Sequence, residues 1–403
     1  MSVLNILEEK LVETKKQGRF REFLNLERGV QDKPWATSHG HHGERRLNVW
    51  CSNDYLAMSH HPKVLLATTE AVNRVGLGTC GARSISGTSV YHSELETLLA
   101  SAYGKESALL FTTGFGANDA TLSTLCDAIP DLIVFSDELN HASMIYGIRY
   151  SKAEKKIFRH NDVAHLAELL QAADPARPKL IAFESLYSMD GDFAPLAQIV
   201  ALAEQYQALT YLDEIHSAGV YGERGLGYAE QLGLLDKITI IQGGFGKSYG
   251  AAGGYIAAPR SVVEAVRSWA PAFVFSTSSP APVVAAALAS FKYNLEHDTQ
   301  RKHLLAIVDH LKTGLRAAGI PLVSADSHIL PLRVGDPHRN KHISKVLLDE
   351  HDIYVQPVNA PTVPAGSERL RVTPTSAHSH ADVETFLAAL GRVWAANDLR
   401  RAG

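Results

Sequence analysis

Three short segments carry the side chains best suited to covalent and acid–base chemistry. Lys247 lies in QGGFGKSYG, residues 242–250, where small residues surround a single amine. About thirty positions earlier an apolar run ends in DEIH, which holds Asp213 and His216. His141 follows a third apolar run in LNHAS. A lysine in such a setting is typical of an amine that bonds covalently to a carbonyl and exchanges protons.

Asp213 and the two histidines have more ordinary explanations when each is taken alone. An aspartate after a strand is most often a helix cap, and His141 alone is most often a structural core residue. Together with Lys247 they fit one chemistry, in which an aspartate pairs with a protonated ring nitrogen and a histidine packs on the ring. The pattern predicts that Lys247 holds pyridoxal 5'-phosphate as a Schiff base, with His216 beside the phenolic oxygen.

A phosphate-binding segment is the next requirement of such a site. TTGFGAN, residues 112–118, follows an apolar strand and precedes a helix rich in Ala and Leu, so backbone N–H groups can hold an anion at the helix N-terminus. Ser276 and Thr277 add two hydroxyl groups. Each feature alone is equally well an ordinary turn or a solvated loop, and their combination with Lys247 favours a phosphate site.

Composition limits the classes of function. The 403 residues include 45% apolar and 20% charged residues with a net charge of −4, so neither nucleic acid nor an anionic membrane is an expected partner. Three widely spaced cysteines, without a disulfide or zinc pattern or an export signal, indicate the cytoplasm. His39, His41 and His42 are interpreted as a solvated loop, and no metal site is predicted.

Short apolar runs alternate with amphipathic stretches over most of the chain, which predicts an α/β fold with a mostly parallel sheet. The runs that we predict as strands are 108–111, 132–135, 180–183, 209–212, 238–241 and 254–257. The pattern of apolar and amphipathic stretches then changes. It predicts strands near 329–334 and 353–356, a helix over 341–349, and a last helix capped by Ser379 with Asp382. We expect an N-terminal helix and arm (1–48), a large domain (49–292) and a smaller α+β domain (293–403).

These residues also carry an extensive resemblance to a known family. The chain resembles the α-oxoamine synthases, which are fold-type I pyridoxal phosphate enzymes, and within them the group of the aminolevulinate synthases. The stretches that carry the resemblance are WCSNDYL (50–56), ISGT (85–88), NHASMI (140–145), FRHNDVAHL (158–166), FESLYSMDGD (183–192), DEIH (213–216), PTVP (361–364) and ERLRVTP (368–374). The resemblance implies a seven-stranded, aminotransferase-like large domain.

The resemblance also assigns roles to single positions. It implies that Lys247, Asp213, His141 and His216 are catalytic. The cofactor-binding positions are these four together with Gly114, Phe115, Ser188, Ser276 and Thr277, the last two reaching in from a second subunit of an obligate homodimer. The substrate-binding positions are Asn53 and Arg371 for the amino acid carboxylate, and Arg21, Ser136, Lys155 and Thr362 for the acyl donor.

The implied reaction joins glycine to an acyl-CoA with loss of CoA and CO2, and succinyl-CoA would give 5-aminolevulinate. Three departures from the family pattern bear on it. Ala82 and Ser84 stand where a Thr and an Asn contact the succinyl carboxylate, and Gly244 stands where a Thr contacts the phosphate. Another acyl-CoA or acyl-carrier donor, as in aminoketobutyrate ligase or aminooxononanoate synthase, therefore stays open, as do aminotransferase activity and a role in a transcription regulator.

Overall fold

The computed structural model describes residues 3–40 and 43–397, so His41 and His42 lie outside the described residues. The helices are α1 Val3–Lys16, α2 Pro62–Val75, α3 Val90–Tyr103, α4 Gly114–Ala128, α5 Ala142–Arg149, α6 Val163–Gln171, α7 Leu196–Gln205, α8 Tyr228–Gln231, α9 Arg260–Trp269, α10 Pro271–Val274, α11 Ala281–Glu296, α12 Thr299–Ala317, α13 Pro337–His351 and α14 His380–Ala396. Short helical turns occur at Met58–His60, Arg83–Gly87 and Leu235–Lys237.

The strands are β1 Leu26–Glu27, β2 Trp35–Gly40, β3 Gly43–Val49, β4 Ser107–Phe111, β5 Ile133–Asp137, β6 Glu154–Phe158, β7 Lys179–Glu184, β8 Leu209–Asp213, β9 Ile240–Gly244, β10 Gly254–Ala258, β11 Leu330–Arg333, β12 Ile353–Tyr354, β13 Gln356–Val358 and β14 Arg369–Val372. The chain divides into two compact units. The first comprises residues 1–55, 189–192 and 302–403, and the second comprises residues 56–188 and 193–301.

The second unit contains a seven-stranded sheet in the order β4-β10-β9-β8-β7-β5-β6. All neighbouring strands from β9 to β6 are parallel, and β10 runs antiparallel to both β4 and β9. Apolar clusters contain residues of this sheet that alternate between its two faces, with Phe183 and Leu212 in one cluster and Ala182 and Tyr211 in the other. The predicted α/β fold with a mostly parallel, seven-stranded sheet is confirmed.

The first unit is built from two smaller sheets and a core of its own. One sheet has the order β1-β2-β3-β12 and the other the order β11-β14-β13. Its core packs Trp50 and Trp394 with residues of α12, α13 and α14. The predicted capping box at Ser379 is confirmed, because its side chain accepts from the backbone N–H of Asp382 and the Asp382 carboxylate accepts from that of Ser379.

The boundaries of the two compact units differ from the expected domain boundaries. β3 pairs in parallel with β12, Asn48 opposite Ile353 and Val49 opposite Tyr354, so residues up to Tyr55 group with the C-terminal part. At the other bound, α11 packs against α2, which keeps residues up to Arg301 in the second unit. The predicted strand near 353–356 is two strands in two different sheets. The sequence reasoning missed β6, β14 and the β2–β3 hairpin.

Among the helices within residues 3–40 and 43–397, none has the length and apolar character needed to cross a bilayer. Over the same residues, no cluster of His, Cys, Asp and Glu side chains is arranged to hold a metal ion.

Candidate active site

The carboxylate of Asp213 lies at the carboxyl end of β8, near the middle of the large sheet, where parallel sheets bind ligands. The residue is 2% exposed. Its Oδ2 accepts a hydrogen bond from Asn118 Nδ2 at 2.8 Å, and its Oδ1 accepts from the backbone N–H of Ile215 at 2.8 Å. The two bonds fix the carboxylate plane, as a residue that binds a ring cation requires.

Lys247 and His216 are brought together by the loop after β9 and the loop after β8. The Nζ of Lys247 is 2.7 Å from the Nε2 of His216. Both loops leave from the same edge of the sheet, because β8 and β9 are parallel neighbours. The amine is therefore held beside an imidazole, where a proton can pass between the two nitrogens.

His141 caps the N-terminus of α5. Its Nδ1 accepts from the backbone N–H of Ser143 at 3.2 Å and lies 2.7 Å from the Ser143 hydroxyl. Its own backbone N–H donates to Glu184 at the end of β7. The edge of the Phe115 ring faces the imidazole at 6.4 Å between centroids. These contacts hold the imidazole in one orientation.

Charge and burial perturb the ionisation of this cluster. Burial lowers the pKa of His141, while the nearby Asp213 carboxylate opposes that shift and Lys247 adds to it. Burial and the negative charge of Asp213 raise the pKa of Glu184 well above its usual range. Glu184 and Asp213 thus lie at the ends of adjacent strands, and the carboxyl group of Glu184 resists ionisation. Such a pair of carboxyl groups is typical of a functional site.

The helix start at Gly114 and Phe115 has the geometry of an anion site. Thr113 caps α4 by accepting from the backbone N–H of Gly116 at 2.9 Å, and the N–H groups of Gly114 and Phe115 lie at the same terminus. The dipole of this 15-residue helix favours a negative group there. A Cβ on Gly114 would be 2.5 Å from the Cδ1 of Ile215, so a larger residue here would displace the Ile215 side chain.

Ser276 and Thr277 of the same chain lie close to this helix. With Thr112 and Gly116 they line a pocket whose walls also include Arg83 and His92. The Ser276 hydroxyl donates to the backbone carbonyl of Ala272, and Thr277 forms an isolated β-bridge with Ala82. Ser188 is half-buried in the loop after β7.

Ile215 accounts for the glycine at position 244. A Cβ at Gly244 would lie 2.8 Å from the Cδ1 and 3.0 Å from the Cγ1 of Ile215. The isoleucine side chain thus fills the space between the end of β9 and the start of α4. A threonine at position 244 would therefore displace the Ile215 side chain.

The predicted amino acid site lies in the first unit. Arg371, on β14, is 8% exposed. Its Nη1 donates to Asn53 Oδ1 at 3.0 Å and its Nη2 to the Tyr55 hydroxyl at 3.3 Å. The Tyr55 hydroxyl in turn donates to Asn53 at 3.2 Å. The structure therefore brings Arg371 and Asn53 together and holds the guanidinium through neutral partners.

Two of the four predicted acyl-donor residues are also in contact. Arg21 is exposed, and its Nη2 donates to the Thr362 hydroxyl at 2.9 Å, although the residues are 341 positions apart. Lys155, on β6, donates to the backbone carbonyls of Arg149 and Ser151 at the end of α5. Ser136 is buried in β5 and accepts from the side chain of Asn140 at 2.9 Å.

Sequence reasoning missed several residues that hold the site in place. Asn118, Ser143 and Tyr211 are buried and connect Asp213 to His141 through hydrogen bonds. Glu184 binds the backbone of His141. Two signals in the sequence could have pointed to these residues. Asn118 is a polar side chain in a largely apolar helix, and Glu184 follows an apolar run. Burial of either side chain without a hydrogen-bond partner is costly, so each is expected to have one.

The side chains fit pyridoxal phosphate by their chemistry. A buried carboxylate can hold a ring cation, an amine can bond to an aldehyde, and a helix N-terminus can bind a phosphate. All three lie in the second unit at the same edge of the sheet. The site thus supplies a partner for the ring nitrogen, the aldehyde and the phosphate of that cofactor.

Comparisons with known proteins agree with this fit. Residues 46–390 match the family described as aminotransferase class I and II. The chain is 49% identical to the 5-aminolevulinate synthase of Rhodobacter capsulatus, over 96% of this chain and 95% of the relative. It is also 49% identical to that of Paracoccus denitrificans, over 98% of both chains. A solved structure described as SPT with PLP internal aldimine has a TM-score of 0.93 and 30% identity, covering 99% of this chain and 100% of the other.

Proposed function

This chain belongs to the class I and II aminotransferase family, in the group of the 5-aminolevulinate synthases, and from that premise we propose that it condenses glycine with succinyl-CoA. The products are 5-aminolevulinate, CoA and CO2. One observation carries the proposal. Lys247 lies against His216 at the sheet edge that holds Asp213, in a chain whose near-full-length relatives are named 5-aminolevulinate synthases.

Bound pyridoxal phosphate supplies an aldehyde that bonds to amines and a cationic ring that accepts electrons from the substrate. Asp213 balances the positive charge on the ring nitrogen, and its two hydrogen bonds keep the carboxylate in position. His141 would pack against the ring, and the N–H groups of Gly114 and Phe115 would bind the phosphate at the start of α4. Ser188 and His216 would lie near the phenolic oxygen.

Lys247 has two tasks. Its Nζ would hold the aldehyde of the cofactor, and with glycine bound there instead the same Nζ would act as the base that removes a proton from the α-carbon of glycine. His216, 2.7 Å away, can receive or return that proton. The deprotonated α-carbon would then bond to the thioester carbonyl as the C–S bond breaks, and the departing CoA thiolate takes up a proton. The former glycine carboxylate leaves as CO2, and a second proton takes its place on the α-carbon.

Arg371 and Asn53 bind the glycine carboxylate. A guanidinium offers two parallel N–H donors, which fix the orientation of a carboxylate better than an ammonium group does. The bonds from Arg371 to the Asn53 and Tyr55 side chains keep the guanidinium plane fixed in the absence of the substrate. A prealigned donor loses less entropy on binding.

Arg21 binds the free carboxylate of the succinyl group. Its contact with Thr362 occupies one edge of the guanidinium, so the remaining N–H groups can serve the ligand. We assign Lys155 and Ser136 to the same donor. Since Ala82 lacks the hydroxyl of a Thr and Ser84 is shorter than an Asn, Arg21 carries most of the selection for a dicarboxylic donor.

A panel of acyl donors tests the substrate assignment directly. Succinyl-CoA, acetyl-CoA, palmitoyl-CoA and an acyl-carrier thioester are each combined with glycine, serine or alanine, and free thiol is measured. We expect rapid thiol release only with succinyl-CoA and glycine. Faster release with another donor would transfer the proposal to a related α-oxoamine synthase activity, which Ala82 and Ser84 favour as the second candidate.

We further propose a homodimer in the cytoplasm, in which Ser276 and Thr277 of one subunit serve the phosphate of the other. The three cysteines are all thiols, in agreement with a reducing compartment. Because Ser276 and Thr277 also lie near the helix start of their own chain, a mixed dimer is needed to decide which site they serve.

In that test, Lys247→Ala subunits are mixed with subunits that carry Ser276→Ala and Thr277→Ala. If the hydroxyl groups act across the interface, each mixed dimer has one intact site and regains about half of the normal activity per dimer. If they act within their own chain, both sites of the mixed dimer lack a component and activity stays low. Dimers of each variant alone provide the baseline.

A further inference from the structure

A chain of buried polar groups connects Asp213 to His141. Asn118 Nδ2 donates to Asp213 Oδ2 at 2.8 Å and to Ser143 Oγ at 3.0 Å, and Tyr211 donates to Asn118 Oδ1 at 2.7 Å. Ser143 Oγ then lies 2.7 Å from His141 Nδ1. Asn118, Ser143, Tyr211 and Asp213 are at most 2% exposed, so water has little access to them.

The orientation of the Asn118 amide, and with it the direction of its three hydrogen bonds, is determined at Asp213. An ionised carboxylate can only accept, so the NH2 group of Asn118 must face it and the amide oxygen must face Tyr211. The second hydrogen of that NH2 group goes to Ser143 Oγ. Ser143 therefore accepts from Asn118 and keeps its own proton available for His141 Nδ1.

A second bond confirms this direction independently. The backbone N–H of Ser143 also points at His141 Nδ1, at 3.2 Å. A backbone N–H can only donate, so Nδ1 must carry a lone pair. Two donors thus converge on one ring nitrogen, and the imidazole proton lies on Nε2.

We propose that Asn118 and Ser143 are positioning residues that hold His141 as the neutral Nε2–H tautomer and so reserve the charge of Asp213 for the ring nitrogen of the cofactor. Only the second part of this proposal, the role of the Asp213 charge toward the cofactor, rests on the proposed function. An imidazolium at His141 would compete with the pyridinium for the same carboxylate, because both would face one negative charge. A neutral histidine keeps its ring contact with the cofactor and leaves the ion pair intact.

The charged groups around His141 agree with this assignment. Asp213 at the end of β8 attracts a proton to the imidazole, whereas Lys247 in the loop after β9 repels it. Glu184, at the end of β7, contacts the His141 backbone and resists ionisation itself. Burial is the largest influence and lowers the pKa of His141, in agreement with a neutral ring.

Ser143→Ala is the direct test. The change removes the hydroxyl donor to Nδ1 and leaves the bond between Asn118 and Asp213. A neutral hydrogen bond contributes about 0.5 to 1.5 kcal/mol, so the proton-binding constant of His141 should increase about threefold to tenfold. Tyr211→Phe, which only loosens the Asn118 amide, should cause a smaller increase. Ser123→Ala is the matched control, because the Ser123 hydroxyl on the same helix as Asn118 donates only to backbone carbonyls.

The readout is nitrogen NMR of the full chain with 15N-labelled histidine, with and without pyridoxal phosphate. The His141 signals are identified by their loss in His141→Gln. We expect an unprotonated Nδ1 and a protonated Nε2 in the parent protein, and a titration shifted to higher pH in Ser143→Ala together with weaker cofactor binding at the acidic end. A proton on Nδ1 in the parent protein, or the same titration in Ser143→Ala and Ser123→Ala, would overturn the proposal.

The cofactor-free titration separates this inference from the proposed function. If the titration shifts as expected but no 5-aminolevulinate forms in any variant, the positioning role stands and the substrate assignment fails. If the parent protein makes 5-aminolevulinate while Ser143→Ala leaves the titration unchanged, the enzyme assignment stands and the positioning role is refuted.

Discussion

The effect of a substitution at Gly114, at the start of α4, on stability can be estimated from one interatomic distance. Gly114→Ala would place a Cβ 2.5 Å from the Cδ1 of Ile215, and the next atom, Gln242 Nε2, is 3.6 Å away. Carbon atoms pack best at about 3.5 to 4.0 Å. The clash is therefore confined to one methyl group, and a change at Ile215 should relieve it.

The expected cost comes from the two ways of relieving that clash. Rotating Ile215 away from its rotamer costs about 0.5 to 1.5 kcal/mol, and shifting the helix start costs about 1 to 3 kcal/mol as overpacking. We expect Gly114→Ala to lower the free energy of unfolding by about 1 to 2 kcal/mol. Because the same shift displaces two phosphate-binding N–H groups, the dissociation constant for pyridoxal phosphate should rise by up to about tenfold.

A double-mutant cycle with Ile215→Val measures the effect. The valine lacks Cδ1 and by itself costs about 0.5 to 1.5 kcal/mol. In that background Gly114→Ala should cost almost nothing, which corresponds to a coupling energy of about 1 kcal/mol. Urea unfolding of the four proteins and cofactor titration provide both readouts. Equal costs of Gly114→Ala with isoleucine and with valine at position 215 would refute the reasoning.

A control glycine gives the opposite sign. Gly391 lies within α14, and a Cβ there meets no atom within 4 Å. Gly391→Ala should raise the free energy of unfolding by up to about 1 kcal/mol, because alanine favours the helix. A loss of stability at this position would show that the distances to added Cβ atoms do not predict the effects of substitutions in this protein.

Three further predictions concern stability, pH and the acyl donor. Burial lowers the pKa of His92 from 6.5 to about 4, so only the unfolded chain binds a proton there as the pH falls through that range. The free energy of unfolding should therefore decrease by at most about 3 kcal/mol between pH 6.5 and pH 4. In His92→Asn this decrease, measured by acid unfolding, should be smaller. An equal dependence of the unfolding free energy on pH in the parent protein and in His92→Asn would contradict the prediction. Ser379→Ala should cost about 1 kcal/mol by loss of a helix cap, measured by thermal or urea unfolding, and an unchanged midpoint would count against the cap. Arg21→Lys should raise the KM for succinyl-CoA about tenfold and leave that for glycine unchanged; equal changes in both would contradict the assignment.

The strands of the large sheet could be predicted from the sequence because they are buried on both faces. Residues 180–183 are a continuous apolar run before Glu184, and residues 209–212 are apolar apart from Thr210 before Asp213. Burial of nearly the whole run makes such strands recognisable. β6 was missed because EKKIF reads as a charged stretch. It lies at the edge of the sheet, where two of its five residues, Lys155 and Ile157, are exposed.

The contacts that hold the site could not be predicted from local patterns. Asn118 and Asp213 are 95 positions apart, and an asparagine inside a helix gives no sign of its partner. Ile215 lies between two residues that the sequence singled out, yet its effect on Gly114 and Gly244 depends on the spacing of α4 and β9. Such packing follows from the tertiary structure alone.

The fate of the glycine carboxyl carbon tests the central claim most directly. Purified protein with pyridoxal phosphate is given succinyl-CoA and glycine labelled with 13C in the carboxyl group, and CoA, CO2 and the condensation product are measured together. We predict one labelled CO2 for each CoA released and 5-aminolevulinate without the label. A product that keeps the labelled carboxyl carbon, or release of CoA without CO2, would contradict the account.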